Sequence, residues 1–87
     1  MFKTEDFNDG KILRIELPQG HNQGELIQMA DKELKEIESQ LYGSIVYING
    51  RLTTGMALLL GHRLAHICKE VWIFDPKEAK YFKAVWH

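Results

Sequence analysis

Two short runs bracket a helix-length segment in the second half of the chain, and they constrain the fold more than any other feature. The first is Ser44-Ile45-Val46-Tyr47-Ile48 and the second is Val71-Trp72-Ile73-Phe74. Both are rich in β-branched or aromatic residues and lack polar alternation, as strands covered on both faces do. A strand, a helix and a second strand make a crossover unit, which predicts parallel strands joined right-handedly.

The rest of the chain is read around that unit. Met1 to Leu17 predicts a β-hairpin with its turn at Asn8-Asp9-Gly10, where Gly10 is expected to supply a positive φ. Pro18 to Gly24 predicts a loop, because it is rich in Pro, Gly and Asn. From Glu25 to Leu41, apolar residues at Leu26, Ile27, Ala30, Leu34, Ile37 and Leu41 recur every three or four positions. That spacing predicts an amphipathic helix, with Gly43 suited to a left-handed cap. The second helix is expected from Thr53 or Thr54 to Lys69, and Tyr81 to Trp86 reads as a last strand. Trp72, Phe74 and Trp86 read as core or interface. The expectation is a single α/β (α+β) domain over residues 1–87, a mixed β-sheet with two helices in the order β-β-α-β-α-β-β. One layer of helices on one sheet is the simplest packing.

Bulk properties remove several function classes. Eleven basic and twelve acidic residues leave a formal net charge of −1. A protein that tracks a long nucleic-acid backbone needs a basic face, which this balance does not supply. A compact ligand with a few phosphates is still compatible. Cys68 is the lone cysteine, so an intrachain disulfide framework is excluded. The polar start, MFKTEDFNDG, is unlike a signal peptide. The longest apolar run, Met56 to Leu60, is far short of the roughly 20 residues of a membrane span. These features predict a cytoplasmic protein that does not enter membranes. With 87 residues to build a core, self-association is expected.

Candidate chemistry gathers where the first strand of the crossover meets its helix, at Asn49-Gly50-Arg51-Leu52-Thr53-Thr54-Gly55. Ligands of α/β sheets bind outside the carboxyl ends of the strands, where loops deliver helix N-termini. Gly50 permits a tight backbone path, Thr53 or Thr54 can cap the helix, and Arg51 offers a forked cation for phosphate oxygens. The same residues also suit an ordinary capped loop with a surface arginine. Along the helix, Gly55 and Gly61 would permit close approach of another backbone, and Met56 to Leu60 is apolar nearly all round. His62 and His66 lie four apart and project from one face, with Arg63 and Lys69 nearby. They suit metal binding or proton transfer, or simply a solvated helix end. Asp75, at the end of the next strand, suits a general base, a metal ligand or a plain Asp-Pro turn. Lys77 adds a further cation beside it.

These residues together resemble a known family. Gly50-Arg51, a helix ending Gly61-His62-Arg63-Leu64-Ala65-His66, and Val71-Trp72-Ile73-Phe74-Asp75-Pro76 are similar to the small ring nucleases of type III CRISPR systems, the "Csx three" group. The likeness covers roughly the second half of the chain. It implies binding of the cyclic tetra-adenylate second messenger and its cleavage to linear products in antiviral defence. It also implies Mn2+ dependence and a homodimer able to stack around the ring. Carried over by position, Arg51 would contact phosphate, His62 or His66 would serve catalysis or metal binding, and Asp75 would be the acidic catalytic residue, with His66 and Asp75 the pair named for the metal. The loop reading adds Asn49, Gly50, Thr53 and Thr54 as substrate contacts, with Lys77 beside them. Lys77 stands where the family carries an arginine after Asp-Pro, and Leu52-Thr53 replaces the Gly-Pro that often follows Gly-Arg. Two other readings accompany the phosphodiesterase. One is a sensor that binds cyclic oligoadenylate without cutting it, and the other is an oligomeric structural domain.

Overall fold

The computed structural model describes residues 1–85 in full and the backbone of Trp86. The Trp86 side chain, read above as core or interface, and His87 lie outside the described residues. Five strands and two helices follow in the expected order: β1 (Phe2–Phe7), β2 (Gly10–Ile15), α1 (Gln23–Leu41), β3 (Ile45–Gly50), α2 (Thr54–Ile67), β4 (Glu70–Asp75) and β5 (Lys80–Trp86). The strands form one mixed sheet in the order β1-β2-β3-β4-β5. Its two outer pairs are antiparallel hairpins, whereas β2, β3 and β4 run parallel. Two crossovers therefore exist, β2-α1-β3 in addition to the expected β3-α2-β4. Because both advance in the same direction across the sheet, right-handedness puts both helices on one face.

The core lies between that face and the helices. Leu13, Ile15, Val46, Ile48 and Val71 from the strands meet Leu26, Ala30, Leu34, Leu41, Met56, Leu60 and Leu64 from the helices, all of them buried. Each fully buried side chain of this kind contributes roughly 1.5–3 kcal/mol before entropy is counted. The helix expected over Glu25–Leu41 starts two residues earlier, because Asn22 is its cap. Asn22 Oδ1 accepts the Glu25 N–H at 2.9 Å and Glu25 Oε1 accepts the Asn22 N–H at 3.0 Å, a reciprocal capping box. Gly43 follows the helix with φ +73°, as expected of a left-handed cap.

Several local expectations change for identifiable reasons. The positive φ in the first hairpin belongs to Asn8 (φ +50°), not Gly10. Gly10 is required instead for close approach, since a Cβ there would collide with the Ile45 carbonyl. Helix α2 ends at Ile67 rather than Lys69, because the extended Cys68 caps it and β4 begins at Glu70. Gly55 makes room for the chain's own α1, where a Cβ would strike Ile27 and Gln23. The turn Met56–Leu60 is not buried all round: Met56 and Leu60 face the core while Leu58 is 72% exposed. Arg63 bridges Asp31 and Glu38 of α1 and so ties the helices together.

The second face of the sheet explains the unbroken apolar runs of β3 and β4. It carries an aromatic layer of Phe7, Tyr47, Trp72, Phe74 and Tyr81 instead of helices. Tyr47 sits centrally, with ring centroids 5.0 Å from Phe7, 5.3 Å from Tyr81 and 5.9 Å from Trp72. The rings shield one another, and only 8% of Tyr47 is exposed. Among the described residues, no helix is long and apolar enough to cross a membrane.

Candidate functional site

The parallel strands β2, β3 and β4 end on one edge, and a cleft opens there. It has a volume of about 380 Å3 and is lined by Asn49, Gly50, Arg51, Phe74 and Pro76. Strand alternation gives it a side. Tyr47 and Asn49 share the aromatic face, as do Trp72 and Phe74, so the cleft lies at the aromatic side of the edge. Gly50 turns the chain there with φ +132°, and a Cβ at this position would collide with the Ile15 carbonyl of β2. Glycine is therefore demanded twice, by conformation and by space. The turn sends Arg51 outward, exposed and with no carboxylate in ion-pair range among the described residues.

The N-terminus of α2 stands at the same edge but on the helix side, and Thr53 and Thr54 do not line the cleft. Its amides are mostly spent. Thr53 Oγ1 accepts the Met56 N–H at 3.1 Å, and Gln23 Oε1 from α1 accepts the Gly55 N–H at 2.7 Å. The Ala57 N–H bonds to the Thr53 carbonyl. Among the described residues, Thr54 alone keeps an uncommitted amide in that first turn. The anion site expected of this terminus thus keeps, among the described residues, the amides of the Thr53 cap and of Thr54 but not that of Gly55.

Asp75 ends β4 one residue beyond Phe74, which assigns it to the helix side of the edge. Its Oδ1 accepts the Lys77 N–H at 2.9 Å, the turn-forming use of an Asp-Pro step. The Lys77 side chain is exposed beside it. The histidines are elsewhere. Helix α2 begins at this edge and runs back toward the start of β4. At about 1.5 Å per residue, His62 lies roughly 12 Å down the axis from Thr54 and His66 about 18 Å. The two rings do meet, with centroids 4.8 Å apart and edge to face, on the exposed side of the helix.

One edge therefore gathers Asn49, Gly50 and Arg51 on its aromatic side and Thr53, Thr54 and Asp75 on its helix side. His62 and His66 stand apart from both groups. No cluster of three His, Cys, Asp or Glu side chains forms among the described residues. The pair named as metal ligands, His66 and Asp75, is not brought together among the described residues, since Asp75 ends β4 at the carboxyl edge and His66 lies near the far end of α2.

Two contributors escape the sequence reading. Gln23, read as part of the Pro18–Gly24 loop, starts α1 and occupies the α2 terminus. Tyr81 supports the cleft from β5, where its Oη accepts a hydrogen bond from Asn49 Nδ2 at 3.0 Å. Register counting finds the second: a hairpin closed by Asp75 opposite Lys80 sets Tyr81 opposite Phe74. The chain matches no protein-family model and no curated protein.

Proposed function

We propose that the protein binds cyclic tetra-adenylate at the carboxyl edge of its parallel strands and cleaves it to linear products, as a cytoplasmic ring nuclease. The observation that carries the reading is the cleft itself, which sets an exposed guanidinium, Arg51, beside a carboxamide, Asn49, and an aromatic wall, Phe74. A nucleotide needs a cation for phosphate, a hydrogen-bonding group for the base edge and a flat apolar surface for its face. The ring as ligand comes from the likeness of Gly50-Arg51, His62, His66 and Asp75-Pro76 to the type III family. A net charge of −1 is compatible with a ligand of so few phosphates.

In this reading Arg51 and Lys77 neutralise the phosphodiester. Cleavage requires a proton to leave the attacking hydroxyl and another to reach the departing oxygen. Histidine suits such transfers near neutral pH. Because His62 and His66 stand far from Asp75 within one chain, a reaction using both takes them from different copies. A homodimer, or a stack of dimers around the ring, meets that requirement. A Mn2+ ion held by His66 and Asp75 would likewise draw its ligands from different copies.

A second reading, a sensor that binds the ring without cutting it, is favoured by the turn that occupies Asp75 Oδ1. One experiment separates them. Purified protein is incubated with cyclic tetra-adenylate, with manganese and with chelator, and the products are resolved by chromatography. Linear products that disappear in Asp75→Ala support the nuclease. Intact ring in both conditions, with binding retained, leaves the sensor, and absence of binding leaves the structural domain.

A further inference from the structure

Asn49 is held in the cleft from behind. Its Nδ2 donates to Tyr81 Oη at 3.0 Å, and both side chains are half-buried. The contact reaches across three strands. Ile48 of β3 pairs with Ile73 of β4, which brings Asn49 beside Phe74, and Phe74 pairs with Tyr81 of β5. Tyr81 is itself wedged among rings, with centroids 5.2 Å from Phe74, 5.3 Å from Tyr47 and 5.6 Å from Phe7. It thus touches two residues that line the cleft, Asn49 and Phe74, while not lining it.

A carboxamide has one carbonyl acceptor and two N–H donors. With Tyr81 on the N–H anti to the carbonyl, the carbonyl and the second N–H share one free edge. That pair matches the edge of adenine, whose exocyclic amine donates and whose ring nitrogen accepts. It mismatches hypoxanthine, where a carbonyl replaces the amine and leaves two acceptors facing each other. Phe74, next to Asn49, offers the base an aromatic surface.

We infer that Asn49, oriented by Tyr81, is the base-reading group of the cleft and selects a purine bearing an exocyclic amine. Tyr81 is a positioning residue in this scheme, and Arg51 is left to the phosphate. The inference rests on the nucleotide-binding reading above and names the base subsite within it.

Tyr81→Phe keeps the ring and its aromatic neighbours and removes only the hydroxyl. The test titrates cyclic tetra-adenylate and cyclic tetra-inosinate into wild type, Tyr81→Phe, Asn49→Ala and the double variant by calorimetry. The Asn49 side-chain amide is followed by NMR in ligand-free wild type and Tyr81→Phe. Wild type is expected to prefer the adenine ring by about tenfold or more. Tyr81→Phe should weaken adenylate binding roughly three- to tenfold, erase most of the preference, and shift the Asn49 amide resonances, while the protein stays folded with a Tm lowered by only about 4–8 °C. The double variant should lose no more than Asn49→Ala alone, since both changes act on one contact. Equal binding of the two rings by wild type overturns the inference alone, as does Tyr81→Phe retaining both the preference and the amide position. Binding of neither ring overturns the nucleotide reading and the base subsite with it.

Discussion

Tyr47 ties the aromatic layer to the first hairpin, because its ring lies within that layer while its hydroxyl donates to Asp9 of the β1–β2 turn at 2.7 Å. The hydrogen bond to that carboxylate, followed by burial, pushes the phenol up to about 12 from its ordinary 10.0. The sign follows from linkage. The folded value lies above the unfolded one, so the contribution is intact below pH 10 and is lost as pH rises through 12. Denaturant midpoints of wild type are expected to fall between pH 10 and 12 more steeply than those of Tyr47→Phe. At neutral pH the same variant should be less stable by about 1 kcal/mol, the net worth of one hydrogen bond. Identical pH profiles for the two proteins would show that the Tyr47–Asp9 bond does not form. Gly50 makes a related point about legibility: its turn was readable from Asn49-Gly50-Arg51, but the collision with the Ile15 carbonyl depends on a strand some thirty-five positions away.

At the scale of elements, α1 and α2 are coupled at both ends. Gln23 bonds to the Gly55 amide near the cleft edge, and Arg63 bridges Asp31 and Glu38 farther along. Asp31 also pairs with Lys35, one helical turn on, at 3.2 Å. Its carboxyl is held below the usual range chiefly by Lys35, with Arg63 adding to the effect. The start of α1 rests on the Asn22–Glu25 box, and Glu25 is likewise held below its ordinary value, first by the Asn22 amide. Asn22→Ala is expected to destabilise the protein by about 1 kcal/mol, read as a lower denaturant midpoint at constant slope. Because Gln23 adjoins that cap, a looser start should also release the Gly55 amide, visible as faster hydrogen exchange there. An unchanged Gly55 exchange rate would mean that the two helix starts are independent.

For the whole molecule, the direction of α2 is decisive. It begins beside Arg51 and Asp75 and carries His62 and His66 away from them, so the proposed chemistry cannot be completed inside one chain. Mixing His62→Ala/His66→Ala protein with Asp75→Ala protein is therefore expected to restore turnover of cyclic tetra-adenylate above that of either variant alone. A mixture no more active than its components would sink the shared-site arrangement. Surfaces suited to a second copy remain open along α2, where Leu58 is exposed and Gly61 meets nothing within 4 Å. Between α2 and β5 an apolar groove of about 170 Å3 runs over Leu60, Ile73 and Val85.

The two helices, the five strands and their order were legible in the sequence, because periodicity and turn residues act over a few neighbouring positions. Leu26 through Leu41 announce a helix wherever the chain goes, and Ile45 through Ile48 announce a strand. Gathering Asn49, Gly50 and Arg51 at one loop was legible for the same reason. One layer of helices was expected as the simplest packing, but what covers the opposite face of the sheet was not legible. Unbroken apolar runs fit helices on both sides equally well, and only the hand of two consecutive crossovers puts both helices on one side and leaves the rings to cover the other. The hydrogen bond from Asn49 to Tyr81, the capture of the Gly55 amide by Gln23, and the distance from His66 to Asp75 all arise between residues far apart in sequence. Such pairings are set by strand register and helix direction, which exist only once the chain has folded.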